Sequence, residues 1–207
     1  MSPSPQERAG VRLKHNIMQN FPPIILASKS PRRQELLRLM NFKFRIVLKE
    51  VDESYPENLK PEEIAVFIAQ KKALAFDEIT DDEIVITADT IVSVEDQILG
   101  KPETPEHAIA MLQLLSGRKH KVITGVSLLY KHQQNTFFDV SEVLFRPLLD
   151  EEISYYVENF NPMDKAGAYG IQEWIGLVGI QRIEGSYTNV VGLPTEKLYQ
   201  QLVAISH

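Results

Sequence analysis

The segment "ILASKSPRRQELL", residues 25–37, sets two serines, a proline and two adjacent arginines directly after a short apolar run. A strand, a short loop and a helix start leave free backbone N–H groups facing outward, a geometry that binds anions. Ser28 and Ser30 add hydroxyl donors, and Arg32 and Arg33 add planar guanidinium forks suited to phosphate. The first turn of a helix carries partial positive charge and ordinarily attracts Asp or Glu. Two arginines there are either solvated or face something negative. The glycine pattern of a P-loop is missing, so the segment is not that motif.

Asp89 interrupts the β-branched, apolar run "EIVITADTIVSV". An unpaired buried carboxylate is costly, so Asp89 lies at an exposed strand end, pairs with a cation or bonds a turn backbone. Strand ends are also where α/β proteins place ligands. Lys72 falls near the apolar face of its helix, where it either snorkels to solvent or turns its charge toward an anion. Lys101 sits on a constrained turn between Gly100 and Pro102. Asp52 and Glu53 are adjacent loop carboxylates, open to solvation or to Mg²⁺. The histidines make no metal-binding spacing, and no nucleophile-elbow pattern is present, which disfavours a serine hydrolase. His120 reads as a polar group at a strand entrance. Taken together, several cations and two or three carboxylates describe a site for a polyphosphate and a divalent metal: carboxylates hold the metal and position water, while Lys and Arg neutralise phosphate oxygens.

The elements that must position these groups follow from pattern. "PIILA" (23–27) reads as a strand; Ser30 caps a helix with Pro31 at its first position and Leu36, Leu37 and Met40 as its buried stripe. "FKFRIVL" alternates as a strand, and Pro61 opens a helix whose Ile64, Phe67, Ile68 and Ala75 share a face. The run holding Asp89 returns through "EDQ" to "ILGKP" as a hairpin. Thr104 and Pro105 start a helix that Gly117 closes. "KVITGVSLLY" and "FFDVSEVLF" are strands, residues 150–160 a helix, "MDKAGAYGIQ" a small-residue loop, "GLVGIQRI" a strand, and "GLPTEKLYQQLVAI" a turn into a final helix. Strands and helices interleave irregularly, with hairpins among them. That pattern predicts an α/β fold, a mixed β-sheet with flanking helices, rather than a regular Rossmann fold.

The bulk properties exclude several classes. The 207 residues suffice for one domain, in one lobe or two. No apolar run approaches the ~20 residues of a membrane span. The first 23 residues lack the apolar centre of a secretory signal, although a few basic residues leave a transit-peptide reading open. Residues 1–21 are polar and aperiodic and are expected to form a tail. With no cysteine, disulfides, thiolate zinc sites and a cysteine nucleophile are ruled out, and a reducing cytoplasm is the default. A net charge of −6 argues against broad binding to nucleic acid.

"LASKSPRRQELL" resembles the signature of the Maf family of nucleoside triphosphate pyrophosphatases. The match continues in order through "VDES", "AQKKA", "ADTIV", "GKPETPEHAIAMLQLLSGRKHKVITGV", "DKAGAYGIQ" and "GSYTNVVGLP", from about residue 25 to residue 202. The resemblance implies one domain over 22–207, a mixed α/β structure like that of the inosine triphosphate pyrophosphatases, with the site in a cleft between two lobes. It implies a cytoplasmic enzyme, reasonably a homodimer, that cleaves a nucleoside triphosphate to the monophosphate and pyrophosphate with a divalent cation, Mg²⁺ or Mn²⁺. By motif position, Asp89 is the catalytic proton acceptor. Ser28, Arg32, Arg33, Lys72 and Lys101 line the phosphate cleft, and Glu53 is the acidic loop residue that joins Asp89 at the metal.

Within the family, "ADT" and "AGAYGIQ" resemble the branch acting on dTTP and UTP, with Arg32, Thr90 and Gln172 at the positions linked to that specificity. An amide such as Gln172 can donate to and accept from a pyrimidine edge. Glu173 and Trp174 depart from the branch, which often has glycine there; Trp174 either stacks on a base or packs. The rival reading is a non-catalytic nucleotide-binding regulator of septum formation or cell division.

Overall fold

The computed structural model describes residues 21–76, 82–95 and 97–205. In chain order the elements are β1 (Ile24–Leu26), α1 (Pro31–Leu39), β2 (Phe44–Ile46), α2 (Pro61–Leu74), β3 (Ile84–Val94), β4 (Gln97–Leu99), α3 (Pro105–Leu115), β5 (Lys119–Tyr130), β6 (Gln133–Phe145), α4 (Asp150–Phe160), α5 (Trp174–Gly179), β7 (Ile180–Glu184), α6 (Tyr187–Val191) and α7 (Thr195–Ile205), with two short 3₁₀ turns between α4 and α5. The strands form one seven-stranded sheet in the order β2-β1-β3-β5-β6-β7, with β4 pairing β3. β1 runs parallel to β2 and β3, and every other pairing is antiparallel. The expected mixed sheet flanked by helices is present.

Alternation along β3 sorts its side chains between the two faces of the sheet. Ile84, Ile86, Ala88 and Val92 point into the main core, which α3, α4 and α7 complete with Leu112, Leu115, Tyr156 and Leu198. Val85 and Ile91 point to the other face, where α2 lies with Ile64, Ala65, Ile68 and Ala73. Small residues on α2 and Gly125 on β5 bring the helix close: a Cβ at Gly125 would stand 2.6 Å from the Val66 nitrogen and nearer still to the Ala65 carbonyl.

The unequal lengths of β1 and β3 open the cleft. β1 ends at Leu26, and the last bond on that side runs from the Ala27 N–H to the Ile86 carbonyl at 2.9 Å. β3 continues to Val94, and β4 takes up the same edge only from Val92. Between them β3 lacks a strand neighbour on this edge among the described residues, beside the start of α1. Both faces of the sheet are reachable there, so Asp89 and Thr90, adjacent in sequence and opposite in direction, line one cavity.

Several sequence expectations need correction. "GLVGIQRI" is not one strand: Trp174–Gly179 is helical and only Ile180–Glu184 pairs with β6. Gly176 packs on the Ile171 backbone and Gly179 on Phe145, contacts that favour one tight helical turn at a place where alternation alone reads as strand. "FKFRIVL" contributes only Phe44–Ile46, because the strand it pairs with is itself three residues long. "FFDVSEVLF" extends back to Gln133, and α6 went unread. Of the expected tail, residues 1–20 lie outside the described residues, while Phe21 packs edge-on against Phe42 at 5.1 Å and beside Tyr199.

Candidate active site

Ser30 caps α1, its hydroxyl accepting from the Arg33 N–H at 3.4 Å, with Pro31 in the first turn and no acidic residue there. The capped turn fixes the two arginines in different directions. Arg33 reaches inward: its Nε donates to the Gly192 carbonyl at 2.7 Å, and its terminal nitrogens donate to the Thr90 hydroxyl at 2.9 Å and the Ser28 hydroxyl at 3.3 Å. Burial lowers the Arg33 pKa, the Asp89 charge opposes that shift, and an arginine stays protonated regardless. The Thr90 hydroxyl also lies 3.0 Å from that of Thr124, its cross-strand partner. Thr124 in turn donates to the Asn189 carbonyl at 3.0 Å, so α1, β3, β5 and α6 share one polar chain. Arg32 reaches outward to Asp164 at 3.1 Å.

On the opposite face of the sheet, Thr87 donates to the Ala69 carbonyl of α2 at 2.6 Å. One step along the same face, Asp89 Oδ1 meets the Lys72 ammonium at 2.7 Å, and Glu53 Oε1 meets it at 2.9 Å. Lys72 therefore does not snorkel to bulk water; its side chain is 17% exposed and held between two carboxylates. Burial would raise the Glu53 pKa, but the Lys72 hydrogen bond and the nearby Lys72, Lys101 and Arg33 charges outweigh it and leave the carboxyl below its usual range. Glu53 is ionised at neutral pH. Its neighbour Asp52 turns away to Lys71, at 2.9 Å.

Ser28, Arg32, Arg33, Glu53, Lys72, Asp89, Thr90 and Lys101 all line one cleft of about 1010 Å³. The eight residues come from α1, α2, β3 and three loops. Gln172 is exposed and is not among the lining residues, although its neighbours Gly170 and Ile171 are. Trp174 packs edge-on against Tyr155 at 5.0 Å. Thr90 is bonded to Arg33 rather than to Arg32.

Two lining residues escaped the sequence reading. Lys165 is 6% exposed and bonds Asp164 at 2.7 Å and Glu173 at 3.0 Å. Its signal was the Asp-Lys pair opening the small-residue loop. Tyr169 bonds Nε2 of His120 at 2.8 Å, and burial pushes the His120 pKa down to about 4. His120 does begin a strand, but in the core.

The chemistry of the carboxylate pair suits a divalent cation. Mg²⁺ is commonly held by one or two carboxylates, with waters and substrate phosphates completing its shell, and Asp89 and Glu53 already converge on a single cationic group. No set of three His, Cys, Asp or Glu placed for a metal occurs among the described residues.

A cleft beyond the end of a parallel strand, with guanidinium and ammonium groups facing a pair of carboxylates, has the layout of an α/β protein that binds a phosphorylated ligand. The chain belongs to the Maf family: the family model described as Maf-like protein matches residues 23–205. A dTTP/UTP pyrophosphatase of Flavobacterium psychrophilum is 50% identical over 181 residues, covering 87% of this chain and 93% of that protein. A dTTP/UTP pyrophosphatase of Bacteroides fragilis is 52% identical over 181 residues, covering 86% and 94%. Among solved structures, a HAM1 protein from Coxiella burnetii aligns over 88% of this chain and 97% of its own at 13% identity and a TM-score of 0.46.

Proposed function

We propose that this protein is a nucleoside triphosphate pyrophosphatase that converts dTTP and UTP to the monophosphates and pyrophosphate. The observation that carries the reading is the Lys72 ammonium between Asp89 and Glu53, facing Arg33 across the cleft, in a chain about half identical to enzymes of that name. In this reading Arg33, Lys72 and Lys101 take the charge of the triphosphate, with the α1 amides and the Ser28 hydroxyl as neutral donors. Asp89 and Glu53 would hold a divalent cation, which would supply charge neutralisation and make a nearby water easier to deprotonate. Water attacks the α-phosphorus, Asp89 accepts its proton, and the bond from the α-phosphorus to the bridging oxygen breaks with its electrons leaving on pyrophosphate. Arg32, Thr90 and Gln172 are assigned to base selection, Thr90 through its bond to Arg33. A cytoplasmic homodimer belongs to the same reading.

The test is pyrophosphate release from a panel of ribo- and deoxyribonucleoside triphosphates with Mg²⁺ or Mn²⁺. Release from dTTP and UTP ahead of the purine nucleotides is expected, and binding without turnover would replace the enzyme with a nucleotide-binding regulator.

A further inference from the structure

Beside the phosphate cleft runs an ionic chain that the reaction itself does not use. Arg32 bonds Asp164, Asp164 bonds Lys165, Lys165 bonds Glu173, and Glu173 accepts from the Tyr156 hydroxyl. The same hydroxyl accepts the Gly170 N–H at 3.0 Å. The chain thus begins on the first turn of α1 and ends on the backbone of the turn that precedes Gln172. Arg32, Asp164, Lys165 and Gly170 all line the cleft.

Glu173 is the member on which the others depend. The Lys165 side chain is 7% exposed, and a buried ammonium requires compensating charge. Asp164 is 56% exposed and already divided between Lys165 and Arg32, whereas the Glu173 side chain is 26% exposed and bonds Lys165 and Tyr156. The Glu173 carboxylate also closes directly on the turn: a Cβ at Gly170 would stand 2.8 Å from Glu173 Cδ. Without Glu173, Lys165 and Arg32 compete for Asp164, and the Tyr156 hydroxyl that anchors Gly170 loses its acceptor.

We infer that Glu173 is a positioning residue for nucleotide recognition, setting the spacing between Arg32 and the Gly170–Gln172 turn through Lys165 and Tyr156. The inference rests on the proposed function of the same cleft. None of the contacts of this chain reaches Asp89, Lys72 or Glu53, so its loss acts on binding and base choice and not on the chemical step.

The experiment compares wild type with Glu173→Ala and Glu173→Gln, measuring kcat and KM for dTTP, UTP and the purine triphosphates. Glu173→Ala should raise KM for dTTP and UTP about tenfold and narrow their advantage over purines, with kcat within about threefold. Glu173→Gln keeps the side-chain length and one accepting oxygen but loses the second acceptor and the charge, so its KM and preference should fall between those of Glu173→Ala and wild type. An unchanged KM and preference in Glu173→Ala, or a fall in kcat at constant KM, would overturn the inference. Should Glu173→Ala fail to fold, Tyr156→Phe breaks the chain without removing a charge; a KM rise supports the inference and an unchanged KM and preference refutes it. Titration of dTTP in EDTA separates the two readings. Wild type that binds but never turns over ends the pyrophosphatase reading alone, and weaker binding by Glu173→Ala still supports the positioning role. Wild type that binds no triphosphate ends both.

Discussion

Gly125→Ala should damage stability and turnover together, because one missing Cβ lets α2 approach the strand that faces Asp89. Gly125 is the β5 partner of Asp89, and its side-chain direction is occupied by the backbone of α2 at Ala65 and Val66. Adding a methyl 2.6 Å from the Val66 nitrogen requires the helix to withdraw by at least about 0.8 Å to relax that contact to 3.4 Å, and farther to clear the nearer Ala65 carbonyl. Overpacking of this kind costs about 1–3 kcal/mol, which in a domain of this size lowers Tm by roughly 2–12 °C. Lys72 lies two turns along the same helix, so its ammonium moves with it from Asp89 and Glu53. Misplacement by about 1 Å can cost on the order of 100-fold in rate, so kcat should fall about 10- to 100-fold in the folded fraction. Thermal unfolding and steady-state turnover of dTTP check both effects. Gly100→Ala is the stability control, since a Cβ there meets nothing within 4 Å. A Gly125→Ala variant with Tm within about 1 °C and kcat within about twofold of wild type would refute the close-approach argument.

Other consequences are equally direct. Asp89→Asn should keep the fold, by circular dichroism, and lose most pyrophosphate release; near-normal release would remove Asp89 from the chemistry. Lys72→Met should also lose most turnover, and in the remaining activity the acid limb of the pH–rate profile should move to higher pH, because Lys72 helps hold the Glu53 carboxyl below its usual range. His120 is neutral in the fold, with a pKa pushed down to about 4 from 6.5. The unfolded chain therefore binds more protons between those values, and stability present above pH 6.5 is lost as pH falls toward 4, by up to about 3 kcal/mol. Urea unfolding at pH 7 and pH 4.5 should show that His120→Gln has a shallower acid loss than wild type; equal losses would discharge His120 from the effect.

Local signals made much of the site legible. Ser30 and Pro31 define the α1 start at which the arginines sit, and the α2 periodicity puts Lys72 near the buried face. A carboxylate in an otherwise apolar strand asks for a partner, and Lys72 is that partner. The same kind of local signal failed at "GLVGIQRI", where glycine contacts with distant backbone decide between helix and strand.

Residue types, caps and periodicity, all encoded within a few positions of each other, determined the anion-binding turn, the helix carrying Lys72 and the strand carrying Asp89. Only the tertiary structure decided that β1 stops while β3 runs on, which lets two neighbouring residues on opposite faces of a strand share one cleft. It alone buried Lys165 against Glu173 and sent Arg33, not Arg32, to Thr90. These outcomes depend on strand lengths and close backbone approaches between segments far apart in the chain, and no local pattern contains them.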